Sequence, residues 1–135
     1  MNRRIEAMLA MVMALGSVAA LAQAPAAGAP DLKRGKLLFI QCRACHELQE
    51  GLPHKVGPNL FAAIGAKAAS LDDFNYSAAL RGANLTWDEA TLDRWIEKPS
   101  AVVPGNAMAF AGVANPKDRA ALIAYILAET RGKKK

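Results

Sequence analysis

Cys42-Arg43-Ala44-Cys45-His46 decides how this chain is read, because it holds both of the chain's cysteines and one of its two histidines. Positions three or four apart share a face of a helix, so Cys42, Cys45 and His46 are expected to project from one side. Three chemistries use such a set. Thiol–disulfide exchange needs a βαβ surrounding, whereas the flanks here read as helix and loop. A zinc site could draw on Cys42, Cys45, His46 and His54, all the Cys and His of the chain, but adjacent Cys45 and His46 are awkward partners in a tetrahedral centre. The third is covalent c-type haem attachment, for which C-x-x-C-H is the pattern. Two thiols bond to the vinyl groups on one edge of the ring while the imidazole reaches its iron. Thioethers cannot be reduced or exchanged, which suits an oxidising compartment where a free C-x-x-C tends to become a disulfide.

The N-terminus points to that compartment. Asn2, Arg3 and Arg4 precede an almost uncharged run from Ala7 to Ala22, the pattern of a signal peptide. A spanning helix needs roughly 20 apolar residues, and this run is shorter and ends in Ala20-Leu21-Ala22, an A-x-A cleavage pattern. Residues 1–22 are expected to be removed, with cleavage after Ala22. The competing cut after Ala24 would leave Pro25 just beyond it, and an uncleaved anchor is the other alternative. Residues 23–30 are small, Pro-rich and aperiodic, a flexible leader to a domain expected over 31–130. A basic tail, 131–135, follows.

Removal of residues 1–22 makes the methionine count informative. Met1, Met8, Met11 and Met13 leave, so Met108 is the only methionine of the mature chain. A lone Met is ordinarily a flexible filler of a core. This one lies in Pro104-Gly105-Asn106-Ala107-Met108-Ala109-Phe110, an irregular segment between two predicted helices, from which a thioether can be aimed at a buried metal. His54 is the rival second ligand, although its Pro- and Gly-bounded loop suits a hydrogen-bonded structural histidine.

Charge excludes one broad class. Seventeen Lys and Arg less Arg3 and Arg4 leave fifteen, and twelve Asp and Glu less Glu6 leave eleven. Four of the fifteen, Arg131 and Lys133 to Lys135, sit in the tail, so the body is neutral. A nucleic-acid binder usually carries a basic face on the fold; none is indicated here.

An all-α envelope is expected around the motif. Asp31 can cap a helix in which Leu32, Gly35, Phe39 and Cys42 recur at steps of three and four. Thr86 with Glu89 reads as a capping box ahead of Leu92, Trp95 and Ile96, in a helix ended by Pro99. A third helix opens at Asn115-Pro116, with Pro suited to the first position, carries Leu122, Tyr125 and Ile126 on one face, and stops at Gly132. Ser77 to Leu80 reads as one short extra turn.

Gly35 with Phe39, Cys42-Arg43-Ala44-Cys45-His46, His54-Lys55-Val56-Gly57-Pro58-Asn59-Leu60, Pro104 to Gly112 and Leu122-Ile123-Ala124-Tyr125 together resemble class I cytochrome c, the mitochondrial and bacterial c2 branch in particular. The resemblance runs from about Asp31 to Thr130. It implies an all-α fold whose terminal helices cross around one covalently bound haem c, with Gly35, Phe39, Leu122 and Tyr125 at the crossing. It further implies His46 and Met108 as axial ligands and a Pro58 carbonyl that accepts from the free ring nitrogen of His46. Tyr76 and Trp87 match residues that hydrogen-bond a buried propionate, and Trp95 is expected beside Met108. Ala66, Asn106, Gln41, Ser100, Ala101 and Ala107 depart from the pattern: the first stands where an arginine is common, the second where threonine is, and the rest where lysines ring the haem edge.

The function implied is one-electron transfer, without catalysis, by a periplasmic monomer. Its partners would be redox proteins: a quinol-oxidising complex, an oxidase or a periplasmic dehydrogenase. A dedicated haem subunit of such a dehydrogenase, and a peroxidase or ligand sensor with a labile Met108, are the alternatives.

Overall fold

The computed structural model describes residues 28–131; the expected signal peptide, most of the leader, Gly132 and the lysines of the tail lie outside the described residues. The helices are α1 (Leu32–Arg43), α2 (Leu60–Ala63), α3 (Ala78–Arg81), α4 (Glu89–Glu97), α5 (Pro99–Val102) and α6 (Pro116–Arg131). Short polar side chains start most of them by accepting otherwise unpaired N–H groups. Asp31 accepts from Arg34 N at 3.0 Å, Asn59 from Phe61 N at 2.9 Å, Ser77 from Leu80 N at 3.2 Å and Asn115 from Lys117 N at 2.9 Å.

One expected start is corrected. Helix α4 is capped by Asp88, whose carboxylate accepts from Thr91 N at 2.7 Å, and Thr86 with Glu89 forms no capping box. The cause is an extended pairing upstream. Thr86 forms an isolated antiparallel bridge with Lys67, and Trp87 N–H donates to Ala66 O at 2.9 Å. Thr86 and Trp87 are thereby committed to that pairing, and the helix starts only after them. At the other end α4 stops at Glu97, and Pro99 begins the further turn α5 at its first position.

The terminal helices cross closely. A Cβ on Gly35 would run into Ala121 O and come within 2.7 Å of Tyr125 Cβ, so only glycine allows the approach. Phe39 and Tyr125 pack beside it with ring centroids 5.7 Å apart. Arg34 closes the crossing with a two-pronged bond to Asp118 at 2.9 and 2.8 Å.

A single core joins α1, α4 and α6 through Phe39, Leu92, Trp95, Ile96, Leu122 and Ile126, with Leu122 at 0% exposure. Leu48, Trp87 and Val103 enter the same core from the connections. Each such burial stabilises by roughly 1.5–3 kcal/mol, so these loop residues anchor their segments as firmly as helix residues do. Arg119 ties α6 to α4: its side chain is 8% exposed, pairs with Asp93 at 2.8 Å and donates to the Val113 and Ala114 carbonyls at 3.1 and 2.8 Å. No helix among the described residues is long and apolar enough to cross a membrane.

Candidate functional site

The Cys-rich motif straddles the end of α1 and does not lie within a helix. Cys42 and Arg43 are its last helical residues, and the chain then tightens, with Cys45 N–H and His46 N–H both donating to Cys42 O at 3.0 and 2.9 Å. The i to i+4 bond keeps His46 one turn beyond Cys42. Both cysteines are partly buried. Burial, with Cys45 close by, pushes the Cys42 thiol up to about 11.

His46 is 9% exposed, and its Nδ1 lies 2.8 Å from Pro58 O. A carbonyl can only accept, so Nδ1 carries the proton and Nε2 presents a lone pair. Burial lowers the pKa of His46, with the Pro58 bond opposing and nearby Lys55 adding to the lowering, which favours the neutral ring. Gly57 fits against this ring: a Cβ there would overlap Cε1 and stand 2.7 Å from Nδ1. Gly57 N–H also donates to Cys45 O at 2.8 Å. Lys55 closes the other side, its Nζ donating to Arg43 O at 2.9 Å and pairing with Glu47 at 2.6 Å.

His54 is differently placed. Its Nδ1 accepts from Asn59 N at 2.9 Å, while Nε2 lies 3.0 Å from Asp73 Oδ1, within ion-pair range but outside hydrogen-bond alignment. Asn59 extends this loop clamp by donating from Nδ2 to Gln49 O and Leu52 O at 2.7 and 2.9 Å. Among the described residues, which include every Cys and His, no three Cys, His, Asp or Glu side chains converge as a metal-ligand set, so the zinc alternative lacks its geometry.

Met108 is half-buried in the segment between α5 and α6 and packs against the core that contains Trp87 and Trp95, whose rings meet edge-on at 5.1 Å. Tyr76 is buried, with its ring 4.8 Å from Phe74. Burial raises the Tyr76 pKa above its ordinary value, with the Leu71 backbone opposing. Gly57, Asn59 and Asn106 are the site residues that sequence reasoning left without a role; the Gly-Pro and Pro-Gly-Asn turns around them were the available signals.

A covalent haem fits this donor set. Cys42 and Cys45 would attach its ring and His46, with Nδ1 turned to Pro58 and the Nε2 lone pair left over, would ligate its iron, while Gly57 packs on the imidazole and holds it in place. No family model matches the chain. Curated relatives do: it is 44% identical over 119 residues to cytochrome c2 of Rhodomicrobium vannielii, covering 88% of this chain and 95% of that one. It is 41% identical to cytochrome c2 of Rhodoplanes tepidamans over 71% of this chain and 90% of that one. The chain belongs to the class I cytochromes c. Among solved structures, cytochrome cH from Methylobacterium extorquens is similar with a TM-score of 0.65 at 39% identity, covering 71% of this chain and 96% of that one. This cytochrome is thus an all-α, c2-like electron carrier, not an enzyme, with one haem c attached through Cys42 and Cys45.

Proposed function

We propose that this cytochrome works in the periplasm with His46 and Met108 as axial ligands, passing single electrons between a quinol-oxidising complex or dehydrogenase and an oxidase or other acceptor. The observation that carries the reading is the contrast between the two histidines. His46 donates a hydrogen bond from Nδ1–H to Pro58 O, which leaves the Nε2 lone pair available to a metal, whereas His54 Nδ1 accepts from Asn59 N and its Nε2 lies 3.0 Å from Asp73 Oδ1. With His54 Nδ1 taken up by its loop, Met108 is, among the described residues, the thioether that would serve as second ligand.

When bound, the haem supplies the Fe(III)/Fe(II) couple. The Pro58 carbonyl fixes the tautomer of His46 and makes it a stronger donor. The Met108 thioether, as second ligand, would favour the reduced state and raise the potential. With His46 and Met108 both bound, no coordination position would be left for substrate, and the group would supply electron transfer alone. Tyr76 and Trp87 are proposed to hold a propionate, with Trp95 packed beside Met108. Export rests on the signal pattern of residues 1–22. The test is a potentiometric titration of the purified protein: a single one-electron Nernstian transition whose midpoint falls in Met108→Ala supports the reading, and a midpoint indifferent to that change refutes it.

A further inference from the structure

The segment that carries Met108 contains one side chain that bonds in two directions. Asn106 donates from Nδ2 to Val103 O at 2.8 Å, and its Oδ1 accepts from Met108 N at 2.9 Å. Its own N–H also reaches Val103 O at 3.2 Å, closing a turn around Gly105, whose φ of +81° glycine adopts without strain. Val103 is itself fixed, 5% exposed in the core and directly after α5, where Pro99 is fully buried. A continuous path therefore runs from the core through Val103 and Asn106 to the backbone of Met108. Downstream, Phe110 N–H donates to Met108 O at 2.9 Å and Val113 N–H to Ile96 O at 2.8 Å, so the segment is also tied to α4.

We propose that Asn106 is a positioning residue for Met108, stapling its backbone to the core so that the thioether stays on the iron when a competing ligand is offered. The inference rests on Met108 being an axial ligand. Both functions of the amide matter, because Oδ1 holds Met108 while Nδ2 holds Val103. An aspartate keeps the first and sets a carboxylate oxygen against the Val103 carbonyl.

The test uses the full-length ferric holoprotein and imidazole as the competing ligand, followed by absorbance. Each neutral hydrogen bond lost shifts such a competition by about 5-fold. Asn106→Ala therefore binds imidazole about 5- to 30-fold more tightly than the parent, and Asn106→Asp also binds it more tightly than the parent. In a Met108→Ala background Asn106→Ala changes nothing further, since its effect passes through Met108. If Met108→Ala tightens imidazole binding and neither Asn106 variant does, the positioning role is overturned while the ligand assignment stands. If Met108→Ala has no effect, the ligand assignment itself falls. A gain from Asn106→Ala that persists without Met108 means general loosening of the pocket and also overturns the proposal. Should Asn106→Ala fail to fold, Asn106→Asp decides the same question.

Discussion

A methyl group added to Gly57 has no space except that taken by the ring of His46. Overpacking of this kind costs roughly 1–3 kcal/mol, so Gly57→Ala is expected to lower the unfolding free energy by that amount, seen as a lower midpoint in denaturant titration. It should also disturb ligation by His46, read in the visible spectrum; an unchanged midpoint and spectrum would show that the ring has room to move. Replacing both Cys42 and Cys45 by Ala removes every thioether, and the chain should then lose its haem under denaturing conditions; a haem stain that survives denaturation contradicts covalent attachment through these residues. At this scale the sequence was most readable where residue type is itself the chemistry. Cys42, Cys45, His46 and Met108 stand out as candidates because few side chains bind iron or form thioethers. Gly57 and Asn106 do not, because one acts through the absence of a side chain and the other through backbone groups that only the folded turn brings within reach. His54 lies between these cases: a metal-binding type of side chain whose Nδ1 the fold commits to Asn59 N, with Nε2 3.0 Å from Asp73 Oδ1.

The crossing of α1 and α6 is the element on which the rest of the molecule is mounted. Gly35→Ala would drive a Cβ into Ala121 O, backbone that cannot rotate away, and should destabilise the fold by about 1–3 kcal/mol in denaturant titration; a change within error would mean that the helices separate without penalty. The same crossing predicts an acid response. The Arg34 guanidinium holds Asp118 below the usual carboxylate range, so the pair's contribution is complete above the unfolded pKa of about 3.9 and is lost as pH falls through the lower folded value. Asp118→Asn should therefore flatten the decline in melting temperature below about pH 4; an identical decline in the variant would assign it to other carboxylates. Helix starts were legible wherever a cap acts alone, as at Asp31, Ser77 and Asn115. The start of α4 was not, because the bridge from Thr86 to Lys67 is a pairing between distant segments that local pattern does not contain. Helices α2 and α5, four residues each, are too short to show a period.

Across the whole molecule, charge separates a neutral body from a basic tail, and positions 41, 100, 101 and 107 are uncharged. Electrostatic steering scales with such patches and weakens with salt. Electron transfer to an acidic acceptor should thus depend only weakly on ionic strength, and deletion of residues 131–135 should remove most of that dependence. A steep dependence that survives the deletion would move the steering surface to the body, where Lys33, Lys36 and Arg43 flank exposed Leu37 and Ile40 along a groove of about 380 Å³ beside α1. Fold class was legible at this scale because the family's residues recur over nearly the whole domain, whereas the loop clamps that hold its site became visible only in the folded chain. The central claim, an iron held between His46 and Met108, is tested most directly by the near-infrared absorption of the ferric protein. A weak sulfur-to-iron charge-transfer band should be present in the parent, persist in His54→Ala and vanish in Met108→Ala; a band that survives loss of Met108, or disappears with His54, would contradict the account.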